Sequence, residues 1–325
     1  MKAILMILLA GLSFLYYPNF TLASEPGYPT KPIEVIVGYS PGGGVDLSMR
    51  VLAEHAKKFL KQDIIILNRP GGGGRVAMPL VAKSKPDGYT LGAVTDSTFI
   101  LLPHLEPVAY KPLEDFTLIT QYGNIDFGIM VPPDSPFKSF KELIEFARAN
   151  PNKLSVGTAG VGTTPHVACE ALCRMEGLKI NIVPFSGGGP AMAAFLGGHF
   201  MVFWDSSPQI GRLVKEKKAR LLCVMTEERI AGYPDVPTLK ELGYPLVFQS
   251  WYIIFGPKNM DRAIVNKLAE DFKKAMKHPD FIKILKDLES WKENPLSGNE
   301  LKEGIIRRYK ANEELFTKLG MAVKQ

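Results

Sequence analysis

Five histidines, three cysteines and a set of glycine loops hold most of the candidate chemistry of this 325-residue chain. His55, His104, His166, His199 and His278 include no pair at metal-ligand spacing. Cys169 and Cys173 stand four apart on an expected helix, which separates their Cβ atoms by about 5–6 Å. That is too far for a good disulfide, and no further ligand accompanies them as a metal set. They read as small buried hydrophobes. A Ser40–His166–Asp46 triad would be a hydrolase, but Ser40 lacks the GxSxG elbow that exposes a nucleophile. An exported hydrolase using Ser40 or His166 stays as a lesser alternative. No catalytic residue, metal or cofactor is expected.

Donors to an anion are better represented. Loop one is Tyr39-Ser40-Pro41-Gly42-Gly43-Gly44-Val45-Asp46. Loop two runs from Gly157 through Thr158, Ala159, Gly160, Thr163 and Thr164 to His166, and loop three is Phe185-Ser186-Gly187-Gly188-Gly189-Pro190. Each follows an apolar run and opens an amphipathic one, so each reads as strand, turn, helix. Such a turn presents bare N–H groups at the positive end of a helix, which suits a carboxylate or phosphate. Known phosphate motifs are missing: no loop continues into Gly-Lys-Ser/Thr, and Gly157, Gly160 and Gly162 are spaced GxxGxG, the wrong order for a dinucleotide fingerprint. Thr163 and Thr164 are expected to donate hydroxyl hydrogen bonds, and Gly43 to need positive φ and an open face. Asp205 closes the apolar run of "FMVFWDSSP"; it is either a helix N-cap or a ligand contact on the same edge. A fourth loop, Asn68-Arg69-Pro70 with Gly71 to Gly74, reads as packing or a cleft wall. Trp251 and Tyr252 read as hinge or core aromatics.

Elements must hold these loops on a common edge. The expected strands are Ile33–Val37, Ile64–Leu67, Tyr89–Val94, Phe116–Thr120, Phe127–Val131, Leu154–Val156, Ile180–Val183, Phe200–Trp204, Ala219–Met225 and Val247–Phe255, with helices between most of them. From Asp261 the periodicity is helical throughout, in about three helices. Alternating strands and helices imply parallel-rich sheets covered on both faces, and ligands of such sheets sit outside the carboxyl ends of the strands. The strand–glycine loop–helix theme starts near residue 40 and restarts near residues 157 and 187. We therefore expect an α/β chain of two domains: residues 24–123 with 250–325, and residues 124–249, joined by two hinge crossings.

Lys2, an apolar core from Ala3 to Tyr17 and Thr21-Leu22-Ala23 have the form of a secretory signal, cleaved after Ala23. Removing Lys2 takes the formal charge from +6 to +5. The excess is small and spread out, without the basic–aromatic runs of a nucleic-acid surface.

Several segments together resemble one family: "YPTKPIEVIVGYSPGGGVDLSMRVLAE", "NRPGGGG", "KPDGYTL", "VGTAGVGTTPHVA", "YPDVPTLKELGY" and "SWYIIFGP". From about Tyr28 onward the chain is similar to the periplasmic solute receptors of tripartite tricarboxylate transporters, the Bug family. The resemblance implies a monomeric, cofactor-free binding protein of Venus-flytrap form that captures a small carboxylate for a membrane permease. A sensor that presents the loaded form to a signalling protein is the runner-up. The resemblance also implies carboxylate contacts from Tyr39 to Asp46 and from Gly157 to His166, and it matches Asp205 to the family's strand-end aspartate. Loop three departs from the family's aromatic-Lys-Gly pattern, because Ser186 stands where the lysine is usual.

Overall fold

The computed structural model describes residues 27–323. The expected signal segment, with its cleavage point after Ala23, lies outside the described residues. Among the described residues ten strands are formed: β1 (Ile33–Val37), β2 (Ile64–Asn68), β3 (Thr90–Thr95), β4 (Phe116–Ile125), β5 (Phe127–Val131), β6 (Ser155–Thr158), β7 (Asn181–Pro184), β8 (Val202–Ser206), β9 (Arg220–Val224) and β10 (Ser250–Pro257). The helices in chain order are α1 (Gly44–Leu60), α2 (Ala77–Ala82), α3 (Ser97–Ile100), α4 (Leu102–Leu105), α5 (Phe140–Ala149), α6 (Thr164–Glu176), α7 (Gly188–Leu196), α8 (Ser207–Lys215), α9 (Arg262–Ala275), α10 (Pro279–Asp287) and α11 (Gly298–Lys318).

Two five-stranded sheets result, ordered β2-β1-β3-β10-β4 and β7-β6-β8-β5-β9. They are built alike. In each, three neighbouring strands are parallel: β1 pairs with β2 and β3, and β6 with β7 and β8. In each, the fourth strand is antiparallel to both its neighbours and has just arrived from the other sheet. β5 follows β4 by one residue and inserts between β8 and β9. β10 follows β9 and inserts between β3 and β4. The chain thus leaves the first sheet after Ile125 and returns at Ser250.

The helical tail completes the first unit: α9 and α10 pack on α1, and α11 packs on α3, α4 and β4. Strand alternation organises the second unit. On β8, Trp204 joins one core with Val167 and Leu172 of α6, while Phe203 joins another with Phe195 of α7 and Ile210 of α8. Among the described residues no helix is long and apolar enough to cross a membrane. All three cysteines are free.

The crossings are tied together. Asp126 links β4 to β5 and Gln249 precedes β10; the Gln249 amide donates to Asp126 Oδ1 at 2.7 Å. Burial pushes the Asp126 carboxyl above the usual range, with the Gln249 hydrogen bond opposing it. The second crossing is also held from below. Arg308 of α11 pairs with the fully buried Asp96 and donates to the Gln249 carbonyl, and the Trp251 N–H donates to Asp96 Oδ1 at 3.0 Å.

Candidate functional site

Loop one is braced from within. Asp46 is buried in the first turn of α1. Its carboxylate accepts from the Gly42 N–H (2.9 Å), Arg50 Nε (3.0 Å) and Asn68 Nδ2 (2.9 Å). Burial works against its ionisation, but these donors outweigh it and hold its pKa below the usual carboxylate value. Asn68 Nδ2 also reaches the Tyr39 carbonyl at 2.9 Å. The Tyr39 hydroxyl lies 2.5 Å from Thr95 Oγ1 and donates to the Gly73 carbonyl at 3.0 Å. Asp46 and Tyr39 therefore shape the loop, and their polar atoms are engaged with protein. Asn68, Arg50 and Thr95 are the positioning residues that sequence reasoning did not assign. Asn68 reads locally as a turn former, and its contacts lie up to 29 residues away.

The expected conformation at Gly43 is corrected. Gly43 has φ −79° and ψ 166°, an extended geometry open to any residue, while Gly42 carries the positive φ of 82°. The turn falls on Gly42 because its N–H must face Asp46. Gly44 is needed for space: a Cβ there would stand 2.4 Å from the Tyr252 hydroxyl. Tyr252 thus faces loop one from β10. Ser40, Pro41, Gly42 and Gly43 are exposed, and Val45 is buried.

Loops two and three meet. The Phe185 N–H donates to the Thr158 carbonyl (3.0 Å), and a Cβ on Gly160 would lie 2.9 Å from the Phe185 carbonyl. The Phe185 ring turns into the core against Phe200 at 5.6 Å, and Ser186 is exposed. Thr163 donates its hydroxyl to the Gly160 carbonyl at 2.6 Å, and Thr164 Oγ1 lies 3.2 Å from Ser250 Oγ on β10. His166 is buried, with Nδ1 3.4 Å from Thr158 Oγ1 and Nε2 3.4 Å from Glu170. His166 and Asp46 thus serve separate loops, and no Ser–His–Asp relay links them to Ser40. Ala159 is half-buried at the turn and Gly187 opens α7 with φ 150°.

The three helices start without side-chain caps. Helices α5, α9 and α10 are capped by Ser139, Asp261 and His278, while α8 and α11 share the bare start. The ladder of α1 begins with Leu47 donating to Gly43, that of α6 with Val167 donating to Thr163, and that of α7 with Ala191 donating to Gly187. The amides of Gly44, Val45 and Asp46, of Thr164 and His166, and of Gly188 and Gly189 therefore have no carbonyl of their own helix to serve. The two units face each other here. A Cβ on Gly162 would stand 3.1 Å from Leu102 and 3.4 Å from Glu106, and one on Gly73 would stand 3.8 Å from the Gly162 carbonyl. The fourth glycine loop is thus a wall opposite loop two.

Asp205 ends β8 on this edge. Its Oδ1 accepts from the Ser206 N–H (2.6 Å) and hydroxyl (2.9 Å), while Oδ2 is buried with no hydrogen-bond partner among the described residues. Burial pushes its carboxyl up to about 6. Two surface cavities, one of about 570 Å³ beside Tyr110 and Tyr309 and one of about 220 Å³ beside Lys57 and Asp63, reach the supports Glu106 and Arg50 but are not lined by the loops themselves.

Two α/β units joined by two crossings, with uncapped helix starts at facing strand ends, define a periplasmic binding protein of Venus-flytrap form. The chain belongs to the tripartite tricarboxylate transporter family receptor family, whose model matches residues 48–315. It is 37% identical over 305 residues to the UPF0065 protein in the gbd 5' region of Cupriavidus necator, covering 93% of this chain and 92% of that one. Among solved structures it is similar to the periplasmic binding protein BugD, with a TM-score of 0.81 at 26% identity over 91% of this chain and 100% of that one. It is also similar to MatC of Rhodopseudomonas palustris, solved with bound malate, with a TM-score of 0.80 at 28% identity over 89% of this chain and 99% of that one. The Bug-family resemblance read from the sequence is borne out.

Proposed function

We propose that this protein is a periplasmic receptor that captures a small carboxylate between its two domains and delivers it to a tripartite tricarboxylate-type permease. The observation that carries the reading is the convergence of uncapped helix starts from both units. The amides at the start of α1 and those at the start of α6 and α7 are ready donors to carboxylate oxygens, each aided by the positive helix end. The malate bound by MatC agrees with that chemistry. In this reading domain one is residues 24–123 with 250–325 and domain two residues 124–249, the first boundary falling two residues before the end of β4. Ligand bridging both favours the closed state by population shift, with the Asp126–Gln249 pair spanning the crossings. In this reading loop one contributes through Ser40 to Val45, loop two through Thr158 to His166, and loop three through Phe185 to Gly187. The hydroxyls of Thr163 and Thr164 mainly set loop geometry, and backbone amides carry the anion. No enzymatic step is involved.

A thermal-shift screen of the mature protein, stripped of co-purified ligand, tests the proposal. Mono-, di- and tricarboxylates are compared with their amides. At 100-fold above Kd a ligand adds about 2.7 kcal/mol, and roughly 2–4 °C per kcal/mol is expected for a large domain. Carboxylates should raise the melting temperature and their amides should not. A complete panel without a shift would remove the reading.

A further inference from the structure

Two histidines far apart in the chain meet on the helical cover of the first unit. His55 lies in α1, His278 caps the start of α10, and Asp280 stands in the first turn of α10. The two imidazoles stack with centroids 3.5 Å apart and planes inclined by 15°. Asp280 Oδ2 lies 3.3 Å from His55 Nε2 and 3.5 Å from His278 Nδ1. Among the described residues no lysine or arginine pairs with Asp280, whereas the Glu54 carboxylate beside His55 is held by Lys57 at 2.8 Å. His55 sits about 16 Å along α1 from Gly44, at 1.5 Å per residue, so the cluster is separate from loop one.

Structural duties do not account for this arrangement. Buried side-chain nitrogens are normally hydrogen-bonded. His55 is 8% exposed, yet its Nδ1 is buried with no hydrogen-bond partner, and its Nε2 has only the exposed Asp280. As a cap, His278 is outdone by Ser, Asn or Asp, and the Asp280 N–H that it accepts is distant at 3.3 Å. What the three residues share is ligand chemistry: two imidazole nitrogens and a carboxylate oxygen within 4.8 Å of one another. Imidazole suits zinc, copper and nickel, whereas calcium and magnesium take oxygen ligands. Two histidines and a carboxylate are a set that zinc accepts, with water in the fourth position. The rings as they stand are parallel, so their in-plane lone pairs do not meet on one ion. His55 is fixed by burial; the His278 side chain is 35% exposed and is the one free to turn. We infer that His55, His278 and Asp280 form a site for a divalent first-row transition ion such as zinc, which ties α10 to α1 once His278 turns out of the stack. The inference is independent of the receptor reading.

Calorimetric titration of the tag-free mature protein with zinc chloride, after treatment with EDTA, tests it. One equivalent should bind, with calcium and magnesium roughly tenfold weaker or more. In His278→Asn the imidazole is lost but the side chain can still cap α10, and Asp280→Asn removes the carboxylate. Each variant, checked for folding by its melt, should weaken zinc binding by roughly tenfold or more. In the wild type zinc should raise the melting temperature, because it binds the folded chain, and should shift the imidazole ¹⁵N resonances of two of the five histidines. Absence of zinc binding would overturn the inference. So would wild-type zinc affinity in either variant, or calcium binding as tightly as zinc. Where a variant fails to fold, the wild-type resonances decide by themselves: fewer than two shifted histidines would overturn the inference.

Discussion

Replacing Gly44 by alanine should displace the first turn of α1 and weaken ligand binding. The new Cβ would stand 2.4 Å from the Tyr252 hydroxyl oxygen, about 1 Å inside an ordinary contact. Tyr252 has little room to yield. It is 2% exposed, its ring lies 5.3 Å from that of Tyr122, and its other edge rests on Gly123. The helix start must therefore move. Overpacking of this kind costs about 1–3 kcal/mol. A shift near 1 Å also breaks the alignment of the Gly44 and Val45 amides. Two hydrogen bonds to a charged group are worth about 3–6 kcal/mol together, or roughly 10²- to 10⁴-fold in Kd. The contact can be relieved from the other side. Without the hydroxyl, the nearest atom of residue 252 is Cζ at 3.5 Å, so Gly44→Ala combined with Tyr252→Phe should recover much of the loss. Calorimetric titration with a screened carboxylate and thermal melts on the four members of the cycle give the coupling, expected at about 1–3 kcal/mol. Gly43→Ala is the control, because its nearest neighbour would be the Ser40 carbonyl at 3.5 Å; its fold should be unaffected. Wild-type affinity in Gly44→Ala, or no rescue by Tyr252→Phe, would refute the reasoning.

Other perturbations probe the supports. Asp46→Asn should lower stability by about 2 kcal/mol at pH 7. Because the folded pKa lies below the unfolded one, the contribution is full above about pH 4 and is lost as pH falls through the folded value; melts of the two proteins should converge there. Arg308→Met leaves Asp96 buried without its partner and should cost about 3–5 kcal/mol, and Asp96→Asn in the same chain should return part of it. Denaturant titration of the single and double variants checks this. Gln249→Ala removes the clasp to Asp126, so small-angle scattering of the ligand-free variant should show a larger radius than wild type. An unchanged radius would mean the clasp does not restrain the crossings.

Much of the architecture was legible because it is periodic or punctuated. Glycine loops after apolar runs marked β1, β6 and β7 and the helices that follow, and the restart near residue 157 marked the second unit. The three tail helices were legible as such because their apolar spacing is long and regular. What escaped was short or non-local. Ser97–Leu105 is buried almost throughout, with polar Ser97, Thr98 and His104 inside as well, so α3 and α4 show no amphipathic period. Helix α8 starts immediately after β8, at Ser207-Pro208, with no loop to announce it. In the site, the loops were legible but their internal wiring was not. The left-handed residue is Gly42 rather than Gly43 because of where Asp46 sits, and Asp46 is placed by Asn68 and Arg50. Likewise the space at Gly44 is decided by Tyr252, more than 200 residues later.

The central claim is that one carboxylate ligand is held by amides from both units. Amide hydrogen exchange with and without a bound carboxylate addresses it directly. The account predicts that ligand slows exchange at Gly44, Val45 and Asp46 and, in the same sample, at Thr164 and His166. Protection confined to one of these two helix starts, or absent from both while titration shows binding, would contradict it.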